Sequence, residues 1–295
     1  MGQVSYTRGV ALVLAAGVMW SLMGLGIRLL AEATTWQVLF WRSLGMAPVL
    51  VAFLAWRSGG WPWGRFRAAG RAGVVGGLCL VAAFAGAIYA IQSTTVANAV
   101  FLFAASPLLT AVLAWPVLRE PVRRGTWGAI AVALVGIGMM VREGLAIGGG
   151  AGNAAALISA AGFAGFTLAL RHGRLGDMLP GVALGGVFAI LTAALVLALD
   201  GQGIAIPPRE VAIAMGMGVV LLGGGMVAYT LGSRALPAAD LALLSMIEVM
   251  LAPVWVWLVL GETTGAGTLL GGAILLVALA GNAATGMRHR HLTPV

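Results

Sequence analysis

Glu248 is the ionisable residue whose position most strongly suggests chemistry. It lies in the apolar stretch LLSMIEVMLAPVW, residues 243–255, which contains no other charged side chain. Inside a membrane such a group costs roughly 2.5–3.5 kcal/mol on an insertion scale and marks a functional site by default. A carboxylate here could bind the ammonium group of a substrate or carry a proton. The alternative is an interhelical hydrogen bond that only holds two helices together.

Arg42 raises the same question in a milder form. It lies six residues into a predicted helix, about 9 Å from the helix end at a rise of 1.5 Å per residue. That depth is shallow enough for the long side chain to snorkel to the membrane surface. We therefore expect snorkelling, with a gate or a contact to a substrate carboxylate as the alternative.

Few other residues offer catalytic or ligand chemistry. The histidines, His172, His289 and His291, lie in predicted surface segments, and no second acid lies deep with Glu248. A membrane-embedded enzyme would need such a cluster. The single Cys79 can neither build a disulfide framework nor supply a metal–thiolate site. We expect no catalytic residue, no metal and no cofactor.

The composition defines the elements that must position these groups. Of 295 residues, 61% are hydrophobic and 9% charged, and the mean hydropathy is +1.02. A soluble core of this size cannot bury so much apolar surface. About 20 apolar residues form one membrane-spanning helix. Ten such stretches occur, at about 9–31, 36–56, 70–91, 96–118, 125–141, 152–171, 178–199, 210–232, 237–260 and 265–287.

The basic residues are distributed unequally between the two sides of the membrane that these spans define. Thirteen of the 17 basic residues fall on one side if the N-terminus is cytoplasmic: Arg8, Arg57, Arg65, Arg67, Arg71, Arg119, Arg123, Arg124, Arg171, Arg174, Arg234, Arg288 and Arg290. Short loops rich in arginine stay in the cytoplasm. The net charge of +8 is thereby explained without a nucleic-acid partner. We predict that both termini are cytoplasmic and that Asp200 and Glu262 face outward.

The two halves of the chain align with each other. ALVLAAG (11–17) matches ALISAAG (156–162), YAIQS (89–93) matches YTLGS (229–233), and AWPVLRE (114–120) matches VWLVLGE (256–262). The offset stays between 140 and 145 residues. Because each half has five spans, an odd number, the second half starts on the other side of the membrane. Such inverted repeats are typical of transporters with a site at the repeat interface; the alternative is a duplication retained only for packing.

Several short motifs carry a family resemblance. They are AAGVMW (15–20), Phe40 to Arg42, and the endings VLRE and VLGE of the fourth and ninth spans. These resemble the marks of EamA domains of the drug/metabolite transporter superfamily, and the two halves resemble a pair of such domains. Length, helix number and the arginine-rich 57–71 loop are most similar to YddG-type exporters of aromatic and other amino acids. The second half departs at Gly165, where Trp20 would be expected, and has no counterpart of Arg42.

The predicted substrate site surrounds Glu248. Its repeat counterpart is Ser106, so the symmetry is broken where a substrate with two different ends would require it. An amino acid is such a substrate, with an ammonium group for the carboxylate and a side chain for apolar walls. The candidate walls are Trp20, Met23, Phe84, Phe101, Phe163 and Met226, and the candidate polar contacts are Ser21, Asn98, Ser106, Tyr229 and Ser245.

The sequence thus predicts an all-α integral membrane protein with ten transmembrane helices as two inverted five-helix repeats, 9–141 and 152–287, and a cytoplasmic tail, 288–295. We expect a monomeric multi-pass transporter of a bacterial inner membrane that exports amino acids, aromatic and other, or similar small metabolites by alternating access. The alternative is a proton-coupled exporter of cationic or lipophilic drugs. Its cavity would be lined by spans 1, 3, 4, 6, 8 and 9, with spans 5 and 10 peripheral.

Overall fold

The computed structural model describes residues 5–120, 122, 124–146 and 148–292, with side chains except at 238, 239, 242, 243, 245 and 284–292. The predicted tail 288–295 lies outside the described side chains. The helices are α1 (Tyr6–Ser21), α2 (Met23–Arg28), α3 (Thr35–Ser58), α4 (Trp63–Ser93), α5 (Val96–Phe103), α6 (Ser106–Leu118), α7 (Arg124–Ala146), α8 (Gly150–His172), α9 (Leu179–Leu199), α10 (Pro208–Gly216), α11 (Gly225–Gly232), α12 (Ala238–Leu260) and α13 (Ala266–Leu292).

Within these ranges the protein is helical, and nine helical stretches are long and apolar enough to cross a membrane. α12 adds a shorter apolar stretch, Met246–Leu260. Most predicted boundaries agree with the structure to within a few residues. The clearest difference is α4, which begins at Trp63 inside the predicted 57–71 loop. Its regular geometry is interrupted at Gly70, whose φ of 49° lies in the left-handed region that glycine adopts without steric conflict.

Polar side chains fix several helix ends. Thr34 and Gln37 form a capping box at the start of α3, in which each side chain binds the other residue's backbone N–H. Thr95 accepts a hydrogen bond from the backbone of Asn98 and caps α5. These interactions satisfy N–H groups that have no partner within the helix, so the helices begin at defined residues.

Three apolar stretches are discontinuous. α1 and α2 are separated at Leu22, and α5 and α6 at Ala104 and Ala105. Pro107 lies in the first turn of α6, where its missing N–H removes no helical hydrogen bond. Between α10 and α11 the chain forms a π-helix, Met217–Gly224. Broken helices and π-helical turns are frequent at functional sites of membrane proteins.

The two halves of the chain pack on each other through corresponding helices. α1 packs on α12, just as α5 and α6 pack on α8. α4 packs on α8, just as α1 packs on α11 and the π-helix. α4 also packs on α9, as α3 does on α10 and the π-helix. Exchanging each span for its counterpart in the other half therefore gives the same set of contacts between helices.

α7 and α13 form a separate pair at the edge of the bundle. Their backbones meet at Gly136 and Gly271, where an added Cβ on Gly136 would lie 2.4 Å from the Gly271 carbonyl oxygen. Among the candidate spans these two have the smallest buried shares, 22% and 28%. This agrees with the predicted peripheral position of spans 5 and 10.

Candidate functional site

Contacts between loops define the two ends of the bundle. At one end Asp177 binds both Arg57 and Arg65, at 3.2 and 3.0 Å. We call this end the arginine-rich face; it contains residues 57–71, 119, 120, 122, 124 and 171–177. The other end, the opposite face, contains residues 28–35, 92–96, 200–208 and 261–265.

An ion pair joins three spans at the opposite face. Glu262, after α12, lies 2.9 Å from Nε of Arg28 at the end of α2. The same carboxylate accepts a hydrogen bond of 2.7 Å from the backbone N–H of Val96. Arg28 Nη2 donates to the carbonyl oxygen of Thr94 at 2.6 Å. The two side chains are only 26% and 19% exposed, so this network is largely buried.

A second ion pair occupies the corresponding place at the arginine-rich face. Arg171 at the end of α8 binds Glu120 after α6 at 2.5 Å. In the repeat alignment Glu120 corresponds to Glu262, and Arg171 follows Arg28 by an offset inside the same range. The side chains of this pair are 48% and 49% exposed. Both ends therefore carry an arginine–glutamate pair at matching positions.

Surface cavities lie at both faces. One of about 460 Å³ surrounds the Arg171–Glu120 pair and is lined by 117–120, 171, 172 and 174. Another, about 360 Å³, lies at the opposite face and is lined by 34–36, 85, 86, 89, 155, 158, 200 and 202. Glu248 and Arg42 line neither of these two cavities.

Glu248 lies where α12 crosses α1. The neighbouring Ile247 fills the space over Gly17, where an added Cβ would lie 2.5 Å from Ile247 Cγ2 and 3.9 Å from the Glu248 nitrogen. The Glu248 side chain is half-buried. No hydrogen bond or ion pair reaches its carboxylate from the described residues. The hydrogen bond expected of a purely structural Glu248 is thus not seen within that part of the chain.

Trp20 of α1 contacts the other half of the chain. The rings of Trp20 and Tyr229 lie 5.4 Å apart. The Trp20 indole lies on Gly225, where a Cβ would be 2.4 Å from Nε1. Met226 belongs to one hydrophobic cluster, and Trp20 and Phe84 pack against the same cluster. These predicted residues come from both halves of the chain, and their contact with substrate stays a prediction.

Three predicted wall residues are not in the Trp20 cluster. Met23 and Phe101 pack in the other hydrophobic cluster. The Phe101 ring lies against Gly272 of α13, where a Cβ would be 2.4 Å from the ring. Phe163 is 48% exposed and its ring lies 5.9 Å from that of Phe166. Their contact with substrate stays a prediction.

The predicted polar contacts Ser21 and Ser106 are both buried. Ser21 accepts a hydrogen bond of 2.8 Å from Trp255 Nε1 and donates one of 2.7 Å to the Val18 carbonyl. It thus joins α1 to α12, a contact that no sequence pattern indicated. Ser106 begins α6. The side chain of Ser245 lies outside the described residues.

Asn98 takes part in a buried contact between spans. It is 1% exposed, and its Nδ2 donates to Thr94 Oγ1 at 3.2 Å and to Asn153 Oδ1 on α8. At the arginine-rich face the Tyr6 hydroxyl of α1 donates to Asp240 of α12, at 2.9 Å. Asn98 and Asp240 occupy corresponding positions of the two halves, and each forms a hydrogen bond with a residue of another span.

Arg42 corrects the sequence analysis. It is 3% exposed, and its guanidinium carbon lies 5.1 Å from the centre of the Phe84 ring. α3 approaches the π-helix so closely here that a Cβ on Gly218 would lie 2.0 Å from the Arg42 carbonyl oxygen. The prediction that Arg42 snorkels to the surface is therefore wrong. The neighbouring helices cover it, which its depth along α3 could not reveal.

These features define a multi-pass helical membrane protein whose spans hold a buried guanidinium and a carboxylate without a partner among the described residues. Residues 7–142 match the model of the EamA-like transporter family, so the first half of the chain is similar to that family. A solved crystal structure of a protein has a similar fold, with a TM-score of 0.63, 17% identity, and coverage of 97% of this chain and 100% of the other. No curated protein matches this sequence. The predicted resemblance is confirmed for the first half; a second EamA domain and the likeness to amino acid exporters stay predictions.

Proposed function

We propose that the protein exports amino acids, aromatic and other, or similar small metabolites across a bacterial inner membrane by alternating access. The EamA-like domain at 7–142 supports a transporter of small solutes. The arginine-rich face would be cytoplasmic, since arginine-rich loops remain on that side. The protein would act as a monomer, without cofactor or catalytic residue.

The observation that carries the substrate class is the unpaired carboxylate of Glu248. An acid in a transmembrane helix faces the bundle interior and pairs with another group. In the described residues Glu248 has no such partner, so a substrate ammonium group is the partner we assign to it. Trp20, Phe84 and Met226 supply apolar and aromatic surface for the substrate side chain.

The repeated packing supports a ten-span inverted repeat. The contacts of α1, α3, α4 and α7 recur when the two halves are exchanged. Because five spans lie in each half, this exchange requires a two-fold axis in the membrane plane. A site at the interface between such halves can be opened to either side by rocking one half against the other.

The two ion pairs would serve as the gates of this cycle. In this proposal Arg28–Glu262 would close the outer side and Arg171–Glu120 the cytoplasmic side. Alternating access requires that one pair breaks while the other remains. In the structure both pairs are formed.

The test is uptake into liposomes by wild type and Glu248→Gln, with and without a pH gradient. Gln keeps the shape of the side chain while removing its charge and its proton. Loss of a charge-assisted contact to an ammonium group costs about 1.5–3 kcal/mol, or roughly ten- to a hundredfold in affinity. Glu32→Gln, which removes an exposed acid, is the matched control.

Unchanged affinity and rate in Glu248→Gln would return this residue to a structural role, because interhelical polar contacts contribute only about 0.6 kcal/mol on average. Uptake of organic cations in preference to amino acids would favour the drug exporter instead. Orientation is checked with cysteines placed at position 66 or 289 in intact cells. Ready modification by an impermeant reagent would reverse the proposed topology.

A further inference from the structure

Arg42 is a buried cation without an anionic partner among the described residues. It is 3% exposed, and neither Nε nor Nη2 has a hydrogen-bond partner in that part of the chain. No carboxylate lies within ion-pair distance of it in the part of the chain that the structure describes. Its guanidinium carbon lies 5.1 Å from the centre of the Phe84 ring. A cation–π contact offsets a small part of the hydration that a buried guanidinium loses.

A second buried donor lacks an acceptor among the described residues. Trp20 Nε1 has no hydrogen-bond partner there. Trp20 and Phe84 both pack against one hydrophobic cluster, and Phe84 also packs against the other. Buried N–H groups are almost always paired in proteins. The unpaired N–H groups of Arg42 and Trp20 indicate that each needs an acceptor. Because the guanidinium is positively charged, its acceptor is expected to be an anion.

The position of Arg42 complements that of Glu248. At 1.5 Å per residue, Arg42 lies about 10 Å and Glu248 about 18 Å from the ends of α3 and α12 at the opposite face. The two charged residues therefore differ by about 8 Å in depth along their helices. Arg42 comes from the first half of the chain and Glu248 from the second, and neither charge is repeated in the other half.

We propose that Arg42 binds the carboxylate of the transported substrate, with Phe84 supporting the guanidinium and Trp20 Nε1 as an additional donor. The inference rests on the proposed function and narrows it. The substrate is a zwitterion, held between a cation of one half and an anion of the other. A substrate with only a positive charge would be repelled by Arg42, so cationic drugs are excluded from this site.

The test compares substrates that differ only in the carboxylate. L-tryptophan and L-leucine are measured against L-tryptophanamide and L-leucinamide, which keep the ammonium group and lose the negative charge. Affinities are determined by competition in liposomes for wild type, Arg42→Gln and Arg42→Lys. Arg209→Gln, which removes an exposed arginine at the opposite face, is the control for the loss of one positive charge.

We expect wild type and Arg209→Gln to prefer the acids over the amides by roughly ten- to a hundredfold. In Arg42→Gln this preference should fall to near one, because the acids lose the contact of their carboxylate and the amides lose the repulsion by Arg42. Arg42→Lys, which keeps the charge but loses the planar fork, should retain part of the preference. A folded Arg42→Gln protein with the wild-type preference would overturn the proposal.

Wild type alone supplies a further readout if the variants do not fold. The acids should raise the thermal unfolding temperature of purified protein, and the amides should not at equal concentration. Equal stabilisation by acid and amide would overturn the role of Arg42. That result would still be consistent with a transporter of amines. Absence of binding or uptake of every amino acid and amide would instead overturn the proposed function.

Discussion

The two ends of the bundle carry ion pairs of the same chemistry in different surroundings. At the opposite face Arg28 and Glu262 are 26% and 19% exposed, and Glu262 also binds the Val96 backbone. At the arginine-rich face Arg171 and Glu120 are 48% and 49% exposed and bind only each other among the described groups. Water and salt weaken an exposed pair more than a buried one. The two corresponding ion pairs therefore differ in screening, and the pair at the opposite face is the less screened one.

Neutralising Glu262 should have the largest effect. Glu262→Gln removes a charge that binds Arg28 and a backbone N–H, which we expect to destabilise the closed face by on the order of 1–2 kcal/mol. That corresponds to roughly tenfold more opening. The measurement is the rate of thiol labelling of Ala97→Cys, a buried position beside Val96, in nanodiscs and in a Cys79→Ala background.

Asp200→Asn, at an exposed acid of the same face, is the control for this labelling. The double exchange Arg28→Glu with Glu262→Arg should bring the rate back toward wild type. Equal labelling of Ala97→Cys in wild type and Glu262→Gln would show that the pair does not hold this face closed.

The hydrogen bond near the opposite face should contribute more to the free energy of unfolding than the one near the arginine-rich face. Asn98→Ala removes the buried contact to Asn153, and we expect a loss of about 0.6 to 1.7 kcal/mol in the free energy of unfolding. Tyr6→Phe removes the exposed bond to Asp240 and should change it by less than about 0.5 kcal/mol. Both are measured by denaturation in one detergent, and a larger loss for Tyr6→Phe would contradict the comparison.

Neutralising Glu120 should matter less than neutralising Glu262. Exposed pairs contribute about 0–1 kcal/mol, so Glu120→Gln should raise the labelling of Ala114→Cys by no more than a few-fold. Ala114 is buried six residues before Glu120. A tenfold increase in the labelling of Ala114→Cys would show that the arginine-rich face is held more strongly than the opposite face, contrary to the comparison.

Salt should produce the smallest change. Raising ionic strength from 0.1 to 1 M shortens the Debye length from about 10 to about 3 Å. In otherwise wild-type protein this should increase the labelling of Ala114→Cys slightly and leave that of Ala97→Cys unchanged. A rise at Ala97→Cys alone would indicate that the Arg28–Glu262 pair is the more solvated one.

The sequence predicted the spans well because one local property controls them. The predicted stretch 36–56 lies within Thr35–Ser58, and 178–199 coincides with Leu179–Leu199 to one residue. Each is an apolar run long enough for the hydrocarbon core. The π-helix at Met217–Gly224 and the break at Leu22 were not predicted. Their residues are as apolar as their neighbours, so hydropathy contains no signal for them.

Part of the candidate site was also accessible from sequence. Glu248 stands out in the sequence because a lone acid in an apolar run is improbable without a role. Residue type and depth predict Trp20, Phe84 and Met226 as wall residues, and all three pack in or against one hydrophobic cluster. The same reasoning predicts Phe101, which packs instead against Gly272. Depth along a helix does not specify the direction in which a side chain points around it.

The sequence by itself determined the membrane class, the approximate ends of the spans and the presence of an acid near their middle, since these depend on local composition. Only the tertiary structure decided that Arg42 is buried over Phe84 and that Arg28 binds Glu262. Arg28 and Glu262 are far apart in the chain, and Arg42 at the same depth would be solvated if α4 and the π-helix did not cover it. Burial of a charge and the identity of its partner depend on neighbouring helices, which local sequence does not specify.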